Sequence, residues 1–288
     1  PSSGAGIFIT EAVKSFPSLE NITAVEKDIL TGQVLAALNS SLGVSVSTHI
    51  AGFEQTPVND NGKYDIIVSN IPFGNFSVYD RALPDKELSG KIHNYFFAKG
   101  LDKIAKGGLL AYITTDGFLN NPSNHIAREY LFNKADFISL TVMPDNLMKN
   151  TGNTEAPSHL LIVQKNEGKQ ALSIEEKYLV ATIAQENEFG YYHLNQYIHR
   201  HPEIIAGDEV KAGKNQYGNA NQSVWQHGDI NAIATKLSET IGKGVEARFN
   251  QSLFKQALSL SMAGTETARK QLTFLPVPED RTQRANVQ

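Results

Sequence analysis

The residue types most able to do chemistry lie in the run from Asp65 to Gly74, which reads Asp-Ile-Ile-Val-Ser-Asn-Ile-Pro-Phe-Gly. An apolar stretch typical of a buried strand ends at Asn70 and is followed by Ile71, Pro72 and Phe73. An exocyclic amine conjugated to a purine is a poor nucleophile, because its lone pair is delocalised into the ring. The Asn70 side-chain oxygen and the Ile71 carbonyl would accept its two N–H groups and favour a pyramidal nitrogen. Phe73 would stack on the base.

Residues of these types in this order could therefore activate a planar amine, and the resemblance described below assigns the catalytic role to Asn70, Ile71, Pro72 and Phe73. The alternative is a strand that ends in an ordinary Asn-x-Pro turn. A base inside a duplex cannot reach such a pocket, so the target base must be single-stranded or flipped out of the stack.

A second candidate site is the turn Pro1-Ser2-Ser3-Gly4-Ala5-Gly6, which precedes a helical pattern. Glycines allow close approach of a ligand, and the following helix start offers free N–H groups. About twenty residues later, Glu26 ends a short apolar strand, where a carboxylate can accept the hydroxyls of a ribose. The turn has neither the third glycine of a dinucleotide fingerprint nor a Walker lysine. A simple tight turn and a surface glutamate remain the alternatives.

A third candidate is Gly52-Phe53-Glu54, at the end of a strand predicted over 49–53. Phe53 could cover one face of a planar base, and Glu54 could accept a hydrogen bond from an exocyclic amine. Packing of Phe53 in the core is an equally good interpretation.

Strands and helices that alternate along the first part of the chain would position these residues. Apolar periodicity predicts helices over 5–16, 32–42, 91–105 and 126–132, and strands over 22–26, 49–53, 64–68, 109–114, 137–143 and 158–164. Gly107-Gly108 is predicted to end the third helix. The alternation indicates a mainly parallel sheet covered on both faces, with the last two strands as an antiparallel pair at one edge.

Composition changes near residue 168. We predict a catalytic core over 1–168, a polar accessory module over 169–228, a helical segment over 229–274 and a linker over 275–288. Gly242 and Gly244 are expected to divide the helical segment into two helices. His193, His199 and His201 lack the spacing of metal ligands, so no metal is predicted.

Composition excludes several classes of protein. The 288 residues contain no cysteine, which rules out disulfides, thiolate metal sites and cysteine nucleophiles. No apolar stretch approaches the ~20 residues of a membrane span, and no signal segment opens the chain, so we expect a soluble, cytoplasmic protein. A net charge of −4 neither supports nor excludes a nucleic-acid partner. One possible basic cluster comprises Arg200, Lys211, Lys214, Lys236, Lys243 and Arg248.

Residues 70–73 resemble the Asn/Asp-Pro-Pro-Tyr/Phe motif of S-adenosylmethionine-dependent methyltransferases that modify planar amino groups, chiefly the gamma-type adenine-N6 DNA methyltransferases. The resemblance covers residues 1 to about 165, since the other candidates follow the order of that family. It implies an α/β fold with a Rossmann-like methyltransferase sheet, mainly parallel with an antiparallel edge strand, and a smaller α+β C-terminal module. It also implies S-adenosylmethionine as the cofactor and double-stranded DNA, with a flipped adenine, as the substrate.

The resemblance implies a role for each candidate. The methyl donor would be held by Pro1, Ser2, Gly4, Gly6, Glu26, Phe53 and Glu54. Asn146, Asn153 and Thr154 are candidates for DNA contact, with ordinary loop hydrogen bonding as the alternative. A fused helicase or restriction partner domain is also expected, in restriction-modification or mobile-element biology.

The sequence departs from the family in two respects. Ile71 replaces the first proline of the motif, which keeps the carbonyl acceptor but loses the fixed φ. The family also has a strand with an acid before the glycine turn, so we expect an N-terminally truncated fold that binds the methyl donor poorly. A protein-glutamine methyltransferase, an RNA methyltransferase and a non-catalytic DNA-binding scaffold remain alternative functions.

Overall fold

The structure is a computed structural model that describes residues 1–39, 41–147, 149, 155–215 and 217–256. Up to residue 147 the helices are α1 (Ile7–Ser15), α2 (Ile29–Asn39), α3 (Lys86–Ser89), α4 (Ile92–Lys103), α5 (Gly117–Asn120) and α6 (His125–Lys134). The strands are β1 (Asn21–Glu26), β2 (Ser45–Ile50), β3 (Tyr64–Asn70), β4 (Ile104–Thr115), β5 (Ala135–Met143) and β6 (Ser158–Lys165).

These strands form two sheets. β1 and β2 pair in parallel, and a second sheet has the order β3-β4-β6-β5. β3 and β4 are parallel, whereas β6 runs antiparallel to both β4 and β5. The predicted α/β class and the antiparallel edge are confirmed, and the four-stranded sheet is mixed.

The main core lies between the four-stranded sheet and α4. Tyr95, Phe97, Tyr112 and Phe118 are almost completely buried, and the rings of Phe97 and Phe118 stack with centroids 4.2 Å apart. Gly100 allows α4 to approach β4 closely, because a Cβ there would lie 2.7 Å from the Tyr112 hydroxyl. This packing fixes the position of β4 relative to α4, and therefore also the position of β3, which pairs with β4.

Three predicted boundaries are wrong. The strand predicted over 49–53 is β2 (Ser45–Ile50), and Phe53 instead begins a 3-10 turn, Phe53–Gln55. The second helix begins at Ile29 rather than at residue 32. The glycine pair 107–108 does not end a helix, since α4 stops at Lys103 and the pair lies within β4. Gly108 is required there by close packing, because a Cβ would lie 2.7 Å from the Asp65 carbonyl oxygen.

The accessory part, residues 169–248, contains small strands and helices. α7 (Ile174–Val180) precedes the hairpin of β7 (Thr182–Asn187) and β8 (Gly190–Asn195). α8 (Gln196–Arg200) leads to a second hairpin, β9 (Glu209–Lys214) and β10 (Ala220–Trp225). The next helix is α9 (Asn231–Arg248).

α9 runs without a break through Gly242 and Gly244, so the predicted division at these glycines is wrong. Gly244 serves packing instead, because a Cβ there would lie 2.5 Å from the Ile138 carbonyl oxygen of β5. The helical pattern predicted beyond residue 256 and the predicted linker over 275–288 lie outside the described residues.

Candidate active site

Asn70 lies at the carboxyl end of β3, a position that the strand pairing fixes. Asn70 is opposite Ile113 in the parallel β3–β4 register. The Ile71 N–H donates to the Ile113 carbonyl at 3.0 Å, and the Ile71 side chain is buried. The backbone therefore leaves the sheet immediately after this pair, with Asn70 at the strand end.

The Asn70 side-chain oxygen is buried and accepts no hydrogen bond from any described residue. Ten buried side-chain polar atoms of the described residues lack a partner, and Asn70 Oδ1 is the one at the carboxyl end of β3, next to the serine that binds the glycine turn. A buried polar atom without a partner costs about 1–3 kcal/mol. An ordinary strand-to-turn asparagine would satisfy its own oxygen through the local backbone. The unpartnered oxygen therefore favours the interpretation of Asn70 as a group that waits for a donor from a ligand.

Pro72 and Phe73 are half-buried, and the chain from Gly74 to Ser77 is exposed. The motif thus passes from the core to the surface within a few residues. Phe73 keeps part of its ring accessible at this transition, as a ring that stacks on an incoming base requires.

The glycine turn lies beside the motif and bridges β1 and β3. The Ser3 N–H donates to the Val25 carbonyl at 3.0 Å, and the Val25 N–H donates to the Ser3 hydroxyl at 3.1 Å. On the other side, the Ser69 hydroxyl donates to the Pro1 carbonyl. The turn is therefore one residue away from Asn70 along β3.

The two glycines of the turn do different things. Gly4 has φ +54°, and no atom lies within 4 Å of where its Cβ would be, so a ligand has room there. Gly6 has φ +90°, and its Cβ would lie 2.8 Å from the Leu35 side chain of α2. Ser2 also has a positive φ of 50°, which is uncommon for a residue with a side chain. The backbone is thus shaped for an open cradle at Gly4 and for packing at Gly6.

Glu26 connects the turn to the two neighbouring strands. Its Oε2 accepts the Gly4 N–H at 2.8 Å and its Oε1 accepts the Asp28 N–H at 2.9 Å. Its carbonyl accepts the Ala51 N–H at 2.9 Å, just beyond the end of β2. The carboxylate is half-buried, and its oxygens offer about four acceptor sites, so capacity remains for a ligand hydroxyl.

Phe53 lies in the core, 7% exposed, and its ring packs against Phe96 and Tyr95 with centroids 5.1 and 6.3 Å away. This geometry favours core packing over contact with a base. The half-buried Glu54 carboxylate folds over Gly52, where a Cβ would lie 2.1 Å from Oε1. Glu54 therefore lies in the 3-10 turn, four residues beyond the end of β2.

Asn146 forms two hydrogen bonds within the protein. Its Nδ2 donates to the Gln226 carbonyl at 2.9 Å, and its Oδ1 accepts the Gln226 N–H at 3.1 Å. These bonds correspond to the alternative of ordinary loop hydrogen bonding. Asn153 and Thr154 lie outside the described residues.

The sequence reasoning missed a buried ion pair behind the motif. Asp80 Oδ2 accepts hydrogen bonds from the Lys99 ammonium at 2.6 Å and from the Tyr95 hydroxyl at 2.7 Å, while Oδ1 accepts the Ala82 N–H at 2.8 Å. Burial alone would raise the pKa of Asp80, but these hydrogen bonds outweigh it and hold the pKa below its ordinary value. The available signal was the spacing of Tyr95 and Lys99, which places both on one face of α4.

The accessory part is attached at the same edge of the sheet through two acids. The Asn221 amide donates to Asp116 at 3.3 Å, and the Ser223 hydroxyl donates to Asp145. Burial raises the pKa of Asp145 to about 6, although the Ser223 hydrogen bond works in the opposite direction. β10 therefore docks beside the carboxyl ends of β4 and β5.

The described residues contain neither a group that could hold a metal ion nor a helix that could span a membrane. No group of three or more His, Asp or Glu side chains among them could hold a metal ion. No helix in the described part of the chain is long and apolar enough to cross a membrane.

Part of the chain is similar to a known family. Residues 14–147 match the family model of the Eco57I restriction-modification methylases. These residues are therefore similar to that family, and we call them the methylase-like region. The methylase-like region contains Glu26, Glu54 and the whole motif from Asn70 to Phe73, while the glycine turn precedes it. The resemblance found in the sequence is thereby confirmed. No curated protein sequence matches the chain.

Several solved structures are similar to this chain. The M protein of the type I restriction enzyme EcoKI superposes with a TM-score of 0.50 at 11% identity, over 96% of this chain and 71% of that protein. A modification subunit assigned to a type I restriction enzyme of Vibrio vulnificus YJ016 gives 0.49 at 13% identity, over 82% and 56%. A protein assigned to the class I S-adenosylmethionine-dependent methyltransferases of Listeria monocytogenes gives 0.49 at 16%, over 60% and 55%. The chain thus spans little more than half of the last two proteins.

Proposed function

We propose that the chain is the catalytic part of a DNA methyltransferase that transfers a methyl group from S-adenosylmethionine to the N6 amine of adenine. The observation that carries this proposal is the buried, unpartnered oxygen of Asn70 at the end of β3. It lies one residue from Ser69, which holds the glycine turn. An amine acceptor and an open cradle for a second ligand are therefore adjacent.

The cradle residues fit the methyl donor. Gly4 leaves open space, and Glu26, already bound to the Gly4 N–H, would accept ribose hydroxyls of the donor with its remaining acceptor sites. Glu54, beyond the end of β2, would accept the amine of the adenine in the donor. S-adenosylmethionine supplies an electrophilic methyl group on a sulfonium. Type I and Eco57I-type relatives methylate within restriction-modification systems, and we propose the same context for this chain.

The motif residues would act on the target amine. The Asn70 oxygen and the Ile71 carbonyl accept its two N–H groups, which localises the lone pair on nitrogen and stabilises the positive charge that develops there. Bound S-adenosylmethionine would supply the methyl group to this nitrogen, with the carbon–sulfur bond as the bond broken, and the nitrogen would release one proton to water. Phe73 stacks on the flipped base and offsets part of the cost of unstacking, a few kcal/mol.

Radiolabelled methyl transfer with the full-length protein tests the proposal. Unmethylated plasmid DNA, RNA and a protein extract are offered separately, and we expect label in DNA. Asn70→Ala should lower the rate of methyl transfer to DNA by two orders of magnitude or more, because it removes the oxygen that accepts a hydrogen bond from the target amine. The loss is comparable with that caused by removal of one oxyanion-hole donor.

The matched control is Asn133→Ala, an exposed asparagine on α6, away from the motif and from the loop that follows it in the chain. It should leave transfer unchanged. Label that appears only in protein or only in RNA would refute the choice of DNA. Undiminished transfer by Asn70→Ala would show that the site lies elsewhere. If calorimetry showed that the protein binds DNA but not the methyl donor, the protein would be a non-catalytic DNA-binding scaffold.

A further inference from the structure

The loop that follows the motif is held at both of its ends. We call residues 74–81 the post-motif loop. Just before the loop, the N–H of the buried Ile71 donates a hydrogen bond to the Ile113 carbonyl of β4. Near its end, Asp80 is buried and bound by Lys99 and Tyr95. The path of the loop over the surface is therefore set by the fold.

The large side chains of this loop point either toward the core or toward solvent. Val78 packs against the main core, and its N–H donates to the Ser89 carbonyl at 2.9 Å. Phe76 and Tyr79, on either side of it, are 52% and 82% exposed. The Phe76 ring folds back over Gly74, where a Cβ would lie 2.6 Å from the ring. Two large aromatic rings are thus presented to solvent by a segment whose other apolar side chain is inside.

The charge of the loop also points outward and is positive. The Asp80 carboxylate is neutralised by Lys99 at 2.6 Å. Arg81 is exposed and forms no ion pair with any described residue. The outer surface of the loop therefore carries two aromatic rings and one unpaired guanidinium, a few residues from Asn70.

We propose that Phe76 and Tyr79 stack on the DNA bases next to the flipped adenine, and that Arg81 contacts the adjacent phosphate. This inference rests on the proposed function. Flipping a base removes the stacking partner of its neighbours and leaves their faces uncovered. Aromatic side chains bind such faces without regard to sequence, at about 1–3 kcal/mol per base. The two rings would therefore stabilise the opened duplex, while Asn70 and Phe73 bind the flipped base itself.

The test compares Phe76→Ala and Tyr79→Ala with the conservative variants Phe76→Tyr and Tyr79→Phe in the full-length protein. Methyl transfer to unmethylated plasmid DNA gives kcat/KM, calorimetry gives the Kd for S-adenosylmethionine, and urea unfolding checks the fold. Each alanine variant should lose at least about five-fold in kcat/KM on duplex DNA. The Kd for the methyl donor and the unfolding midpoint should not change, and the aromatic replacements should retain activity.

Tyr217→Ala is the matched control, since this tyrosine is 69% exposed on the turn between β9 and β10. It should behave as the wild-type protein. Alanine variants within two-fold of the wild type would overturn the inference, and so would a loss that accompanies weaker methyl-donor binding or earlier unfolding. A wild-type protein that transfers nothing to plasmid DNA would instead overturn the proposed function and, with it, this inference.

Discussion

The buried ion pair between Asp80 and Lys99 offers a quantitative test of how the post-motif loop is held. The two side chains are 5% and 3% exposed and lie 2.6 Å apart. Lys99→Met removes the cation while it keeps most of the aliphatic volume. Because Asp80 then stays buried without its counter-charge, the substitution should destabilise the fold strongly.

The expected size follows from the partners that remain. Removal of one member of a buried pair typically costs about 3–5 kcal/mol. Asp80 would still accept hydrogen bonds from the Tyr95 hydroxyl and the Ala82 N–H, so the lower end of this range, about 3 kcal/mol, applies. By contrast, Lys63→Met breaks a pair with Asp60 in which Lys63 is 57% exposed, and should cost at most about 1 kcal/mol.

The effect should depend on pH in a defined direction. The pKa of Asp80 is held below its ordinary value in the folded protein, so its contribution to stability is present at neutral pH and is lost as the pH falls through the folded pKa. The destabilisation by Lys99→Met should therefore be largest near neutrality and smaller at about pH 4, near the ordinary pKa of an aspartate.

Urea unfolding, followed by circular dichroism, measures these differences in the free energy of unfolding. The rate of methyl transfer shows whether the post-motif loop keeps its active arrangement. The double variant Asp80→Asn/Lys99→Met should be less destabilised than the sum of its single variants, by about 2 kcal/mol or more. A cost below about 1 kcal/mol for Lys99→Met, equal to that of the Lys63 control, would refute the reasoning that this pair anchors the loop.

Two further predictions concern the accessory part. Gly244→Ala should destabilise the protein by about 2 kcal/mol, because its methyl group would meet the Ile138 carbonyl at 2.5 Å. Gly242→Ala, in open space on the same helix, should stabilise it by about 0.5–1 kcal/mol, and equal effects in thermal unfolding would contradict the packing argument. Asp145 has its pKa raised to about 6, so its stabilising protonated form is lost as the pH rises through that value, at a cost of about 3 kcal/mol. Asp145→Asn should flatten the pH dependence of stability between about pH 4 and 7, and an unchanged profile would show that this acid is not responsible.

Much of the sheet could be predicted because its residues obey local rules. β3 ends where its apolar run ends, and the buried pattern of β5 and β6 marks both strands. The antiparallel edge followed from the lack of a strong helical pattern between the last two strands. These features depend on periodicity, which a single sequence shows directly.

Glycine was the main source of error, because its local signal does not tell turns from close packing. Gly108 and Gly244 resemble breaks in the sequence, yet each lies inside a regular element where a Cβ would meet a backbone carbonyl of another strand. Only the tertiary neighbours decide between these uses. Gly4 and Gly6 were placed in the correct turn, but their division of roles also depends on distant atoms, here the Leu35 side chain.

The candidate site could be predicted as a set of strand ends, but the sequence could not rank its members. Both Phe53 and Phe73 were candidate stacking rings, and core packing was an equal alternative for Phe53. The structure buries the first against Phe96 and leaves the second half-buried beside Asn70. For the asparagines, the decisive difference is whether the side-chain amide is already hydrogen-bonded. Both the nitrogen and the oxygen of the Asn146 amide bond to Gln226, whereas the buried Asn70 oxygen has no described partner. Two asparagines that look alike in the sequence thus have opposite capacities, and only Asn70 retains a buried acceptor for a substrate amine.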